Sequence, residues 1–201
     1  MQTTEARACA FLNDPYRVPN FLLAPAPRPA RLGVEESVPP VSAIALGEEL
    51  TAFLERGASV MVGTRDSDLV PELVRAWGPR ISRDRKSIAV CVAVAASVRT
   101  LENLRDNGRL AVSCALPLNS NAIQMWGRCI ETRKAHRQDL SAVEAHIELF
   151  ARVNADLGVP KPFIDAMRQR ELAGSPAMVT IRFVAEQIFN QTPGPDAGSP
   201  I

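Results

Sequence analysis

Between Ser87 and Gly127 the chain sets three strand-length runs around one short helix, with little sequence left over to connect them. Ser87-Ile88-Ala89-Val90-Cys91-Val92-Ala93-Val94 is small and β-branched throughout, the pattern of a buried strand. Ser97-Val98-Arg99-Thr100 then precedes Leu101 and Leu104 at helical spacing, and Asn107-Gly108 supplies residues that tolerate the left-handed conformation at a helix C-terminus. That spacing predicts a helix of about two turns. Leu110 to Leu116 resumes strand character until Pro117, and Leu118-Asn119-Ser120-Asn121 makes a polar turn. Ala122 to Thr132 is the next strand, with Gln124 and Trp126 on one face and Ile123 and Met125 on the other. Small residues in closely spaced antiparallel strands favour a barrel over an open sheet.

The rest of the chain extends this plan. The first forty residues carry seven of the sixteen prolines, so residues 1–44 read as an extended or poorly ordered arm, although Phe11, Tyr16, Phe21, Leu22 and Leu23 would let it pack on a surface. The folded domain is expected over residues 45–190. It starts with a helix carrying Leu50, Phe53 and Leu54 on one face and Gly57 at its end. A hairpin follows, from Ala58 to Thr64 and back from Leu69 to Trp77, with Gly78-Pro79 breaking or bulging the return. Gly127 marks a bulge or a close approach by another group. From Ala135 the period changes: Leu140, Val143, Ile147, Phe150, Val153 and Leu157 recur every three or four residues. This predicts a long amphipathic helix, then a shorter one over Phe163 to Leu172, so residues 135–172 form a helical insertion that covers a barrel mouth or joins an interface. Ala177 to Gln187 alternates as a last strand, and residues 191–201 form a tail.

Composition excludes several classes of function. With 23 basic against 22 acidic residues the net charge is +1, so no global field recruits nucleic acid or an anionic membrane. Cys9, Cys91, Cys114 and Cys129 are too scattered for zinc or dithiol motifs and read as buried, reduced thiols. His136 and His146 lack the four-residue spacing of helical metal pairs and read as surface residues of the long helix, so no metal site is expected. No nucleophile elbow, Walker loop or dinucleotide glycine motif occurs. No run is long enough to cross a bilayer and no leader pattern stands at the start, so a cytoplasmic protein is expected.

Two groups of residues carry potential chemistry. Ser97, Arg99 and Thr100 stand at a helix start, where backbone amides without intrahelical partners and the helix dipole favour an anion; the simpler alternative is a capped helix with Arg99 in solvent. Arg75 lies within a strand and shares a face with Trp77. A guanidinium beside an aromatic ring suits a phosphate and a ring system, and it equally suits an edge-strand arginine beside a core tryptophan.

Taken together, Val70-Pro71-Glu72-Leu73-Val74-Arg75-Ala76-Trp77, Ser97-Val98-Arg99-Thr100-Leu101-Glu102-Asn103-Leu104 and Gln124-Met125-Trp126-Gly127 resemble, in order and spacing, the FMN-binding split-barrel family related to pyridoxamine 5'-phosphate oxidase. The resemblance covers about Leu46 to Glu131 and extends to the last strand. It implies a mainly β fold, a split β-barrel with added helices, and an FMN-dependent oxidoreductase acting as a homodimer on a small molecule or electron donor. It further implies that Ser97, Arg99 and Thr100 hold the flavin phosphate, that Arg75 and Trp77 line or assist the ring site, and that Ser120, Asn121 and Gln124 meet the ribityl chain or ring edge. Thr100 stands where the family usually has lysine, and the oxidase's C-terminal Trp and Arg-Leu segment has no counterpart, which argues against pyridoxamine phosphate as substrate. Other outcomes are a protein that holds flavin, deazaflavin or haem without turnover, and a structural dimer module without ligand.

Overall fold

The computed structural model describes residues 44–172 and 177–201. The proline-rich arm lies outside the described residues apart from residue 44, as does Cys9. The elements are α1 (Glu48–Leu54), β1 (Ser59–Arg65), β2 (Pro71–Ile81), β3 (Ile88–Ala93), a 3-10 turn (Val94–Ala96), α2 (Val98–Asn107), β4 (Arg109–Ala115), β5 (Ala122–Lys134), α3 (Arg137–Asp156), α4 (Lys161–Leu172) and β6 (Met178–Asn190). The six strands close into one antiparallel barrel in the order β1, β2, β3, β6, β5, β4, with β4 pairing back onto β1. This is the mainly β barrel with added helices that the strand spacing predicts.

Two-residue alternation sends the apolar half of each strand inward. Val60 and Val62 of β1, Val74 and Ala76 of β2, Val90 and Val92 of β3, Val112 and Cys114 of β4, Met125 of β5, and Ile181 and Phe183 of β6 fill the interior. A barrel of so few strands has an interior narrow enough for its own side chains to fill. At the end where β1 finishes, α2 drives Leu101 and Leu104 into the same core, while the Asn103 amide donates to Thr64 Oγ1 at 3.1 Å and the Asn107 amide donates to the Arg65 carbonyl at 2.8 Å. Leu54 of α1 joins this core too.

The helical insertion takes neither a barrel mouth nor the open face. Helix α3 lies along the outside of β2 and builds a second core from Trp77, Cys91, Val143, Ile147, Phe150 and Met178. Gly78 makes this approach possible: its φ is +60°, and a Cβ there would meet the Val143 backbone at 2.9 Å. Here the β2–β3 register shifts, between Trp77 and Arg80, so the Gly78-Pro79 irregularity is a bulge within a strand that continues to Ile81. The first turn of α3 is anchored by Asp139, which is buried and accepts hydrogen bonds from Arg80, Arg133 and the His136 backbone N–H. Among the described residues no helix is long and apolar enough to cross a membrane.

His146 departs from the surface position expected of it. It is buried, its Nδ1 accepts the Gly78 N–H at 3.1 Å, and its Nε2 faces the Ala58 carbonyl at 3.0 Å. That arrangement requires the proton on Nε2 and a neutral ring. Burial, aided by the nearby Arg75 charge, lowers its pKa from 6.5 to about 4. A depressed folded-state pKa means stability is complete above 6.5 and is lost as pH falls towards 4, by roughly 3 kcal/mol in total. Urea unfolding between pH 7 and pH 4 should show this loss, and His146→Gln should flatten the slope across that window.

Candidate functional site

With α3 covering β2 at Trp77 and its border with β3, the outer face from the Leu73 end of β2 across β1, β4, β5 and β6 stays open. Strand register places Leu73, Gly63, Ala111, Trp126 and Gln187 in one continuous row across these five strands. Small residues sit in the middle and large ones at the flanks, so the row is a trough. Gly63 and Ala111 form the floor, while Leu73 (63% exposed) and Trp126 (49% exposed) form the walls. The depression has a volume of about 820 Å³ and is rimmed by Arg65, Glu72, Arg109 and Glu186. A pocket of this size and character, apolar with a few charged groups at its edge, suits a flat organic ligand.

The next row along the same strands is Arg75, Met61, Ser113, Gln124 and Phe189. Gln124 works inside this layer. Its Nε2 donates to Ser113 Oγ at 3.2 Å and its Oε1 accepts the Trp126 indole N–H at 3.0 Å. The Trp126 ring also leans on Phe189, with centroids 5.0 Å apart. Gln124 therefore sets the orientation of a trough wall.

The remaining sequence-predicted residues fall in three places. Arg75 and Trp77 stand under α3, not in the trough: Trp77 is buried against Phe150 and His146, and the Arg75 guanidinium lies over the Trp77 and Phe150 rings at 5.5 and 5.6 Å while donating to Ser59 Oγ. The rings that Arg75 meets are the protein's own. Ser120 and Asn121 are exposed in the β4–β5 turn, at the opposite end of those strands from Arg109 and Gly127 on the trough. At the start of α2, Ser97 and Thr100 have no exposed surface. Ser97 Oγ donates to the Ala93 carbonyl at 2.7 Å and does not cap the helix, and Thr100 Oγ1 is buried without a hydrogen-bond partner. Neither hydroxyl is presented to a ligand from solvent. Arg99 is, at 69% side-chain exposure, and it reaches the trough rim through Glu72 at 3.8 Å.

Gly63, Leu73, Ala111 and Trp126 were not singled out as a site by the sequence. A glycine inside a strand pattern is the one signal that points there, since it marks a place where something approaches the backbone. Other chemistry is thinly provided. Burial pushes the Cys114 thiol up to about 12 and the Cys129 thiol up to about 11, so both stay protonated. Among the described residues no cluster of His, Cys, Asp and Glu could hold a metal ion.

No family model matches the chain, and no curated protein matches it in sequence. Solved structures do. HupZ of group A Streptococcus is similar at 18% identity, over 76% of this chain and 99% of that one, with a TM-score of 0.45. A pyridoxamine 5'-phosphate oxidase-related, FMN-binding protein from Nostoc punctiforme is similar at 10% identity, over 75% and 85%, with a TM-score of 0.43. HutZ, the haem storage protein from Vibrio cholerae, is similar at 15% identity, over 73% and 95%, with a TM-score of 0.40. Proteins of the family that the sequence resembles are thus among its structural neighbours. The barrel itself stands on its own strand pairing.

Two outcomes check these placements. Gln124→Ala should shift the indole N–H resonance of Trp126 while sparing that of Trp77, the protein's other tryptophan, and Gln124→Glu should restore it by keeping an acceptor. Thr100→Val removes an unsatisfied buried hydroxyl at constant shape, so denaturant unfolding should show a gain of about 1 kcal/mol.

Proposed function

We propose that the trough binds FMN and that the protein is a flavin-dependent oxidoreductase acting on a small molecule. The observation that carries this reading is the row from Leu73 to Trp126, a flat apolar floor of Gly63 and Ala111 with an aromatic wall and guanidinium groups at its rim. These residues fit a planar ring system with an anionic tail. FMN supplies hydride or electron transfer when bound, so the scarcity of acid–base side chains is no obstacle. The chain's own part is to seat and orient: Gly63 and Ala111 let a ring lie close to the sheet, Trp126 flanks it, and Gln124 fixes the tryptophan. Thiols and histidines take no role, because each described one is buried or committed elsewhere, except His136 at the start of α3.

The haem alternative finds less support. The residues lining the trough include no His, Cys, Met or Tyr to serve as an axial ligand. A flavin or deazaflavin carrier without turnover uses the same trough and differs only in chemistry. In line with the resemblance we also propose a homodimer, since Leu69 and Val70 stand exposed beside Leu73 and would be covered by a second copy.

Purified protein should bring flavin absorbance with it or quench added FMN on titration. Gly63→Val should weaken FMN on the order of tenfold or more by filling the floor. A new Cβ there meets the Ala111 carbonyl oxygen and the Leu73 side chain at 3.6 and 3.8 Å, ordinary contact distances, and circular dichroism checks that the barrel still folds with the larger side chain. Absence of flavin binding overturns the reading. Binding without reduction by nicotinamide cofactors or dyes turns it into the carrier.

A further inference from the structure

Two residues beyond the trough floor, on the same outward face of β1 and β4, stand Arg65 and Arg109. The β1–β4 register runs from Ser59 opposite Ala115 to Gly63 opposite Ala111, and Arg65 and Arg109 are the next outward-facing residues past its end, both lining the trough. On the other side Arg109 is the register partner of Arg128 on β5. Three adjacent strands therefore bring three arginines to one end of the open face. Like charges directly opposite each other on a sheet repel, so a group of this kind costs stability unless counter-charge is present.

The protein supplies one counter-charge to that group. Trp126 pairs with Gln187 and Gly127 with Ala185, which leaves Glu186 as the extra residue of a β-bulge. A bulge re-aims a side chain, and here the Glu186 carboxylate reaches the arginines: Oε1 accepts from Arg128 Nε at 3.1 Å and Oε2 from Arg109 at 3.4 Å. Arg128 is held behind by this contact. Arg65 donates to the Asp66 carbonyl at 3.0 Å and pairs with no carboxylate among the described residues. The Asp66 carboxylate is taken by the N–H groups of Asp68 and Val70, and Glu72 faces Arg99. Arg65 and Arg109 both line the trough.

We propose that Arg65 and Arg109 form an anion site at this end of the trough, taking a phosphate or carboxylate by charge-assisted hydrogen bonds, with Glu186 holding Arg128 in support. It rests on the trough being the ligand site. It places the anionic group at the ends of β1 and β4, away from the buried hydroxyls at the start of α2. Two sources share the chemistry: the phosphate of a flavin nucleotide, or the acidic group of a separate substrate lying beside the ring.

The test uses the full chain, the double variant Arg65→Gln/Arg109→Gln, and three probes: FMN, riboflavin and inorganic phosphate at matched ionic strength. Because the double variant relieves like-charge repulsion, its unliganded thermal midpoint should equal or exceed that of the native chain. Should the anion be the flavin's, native protein prefers FMN over riboflavin on the order of tenfold and the double variant does not. Should it be a substrate's, the two flavins bind alike while phosphate raises the thermal midpoint of native protein and not of the variant. A preference for FMN that survives in the double variant overturns the anion site, as does a lack of both flavin discrimination and phosphate response. If neither flavin binds but phosphate still stabilises only native protein, the anion site stands and the flavin reading falls.

Discussion

Closure of β1 onto β4 decides where anything else can happen in this molecule. Six strands enclose an interior packed with valines, isoleucines, Met125 and Phe183. The trough lies on the outer surface, where strand register determines which side chains become neighbours. On such a surface the neighbours come from residues far apart in sequence, and a single-residue register shift would dismantle the arrangement. The trough exists because a glycine on β1 and an alanine on β4 fall opposite each other, between a leucine on β2 and a tryptophan on β5.

Register on β5 and β6 is in turn held by Gly127. A Cβ at this position would stand 2.1 Å from the Val184 carbonyl oxygen, so no other residue lets β6 come so close. The close approach coincides with the bulge that turns both Glu186 and Gln187 outward. One glycine thus links three features: closure of the barrel, the end of the trough row at Gln187, and delivery of a carboxylate to Arg109 and Arg128. Core packing and site geometry are not separate designs here.

Much of the fold was legible because it is local. The alternation in Ser87 to Val94, the capped spacing from Leu101 to Gly108 and the switch to a helical period after Ala135 each mark their own element, and each element is found. The site was much less legible. Arg75 and Trp77, sharing a strand face, suit a ring site or an edge arginine beside a core tryptophan equally well, and the structure has the tryptophan in a core under α3; nothing in the strand's own sequence says which part of its face a later helix will cover. Ser97 and Thr100 illustrate the same limit at shorter range: a hydroxyl at a helix start reads as an anion ligand or a cap, while its actual direction, into the protein, depends on how the helix seats on the barrel. His146 read as a surface residue because only the path of β2 past α3 brings Gly78 and Ala58 to its two nitrogens. Trp126 was placed on the correct face by alternation, whereas its role needed Gly63 and Ala111 beside it.

Charge follows the same logic. The balance of 23 basic and 22 acidic residues leaves almost no net charge, and from this alone no preference for an anion follows. Placement breaks the symmetry. Arg80 and Arg133 are consumed by Asp139 in anchoring α3, and Arg75 is spent over two aromatic rings, so three guanidinium groups serve the fold on the covered flank. Arg65, Arg109 and Arg128 gather on the open flank with Glu186 as their one carboxylate partner among the described residues. An anion that approaches the barrel meets a neutral molecule at long range and a concentrated positive group at contact distance. On the proposed reading, recognition acts late, after the apolar trough has engaged the rest of the ligand, and therefore selects for molecules that carry both a flat apolar body and an acidic end.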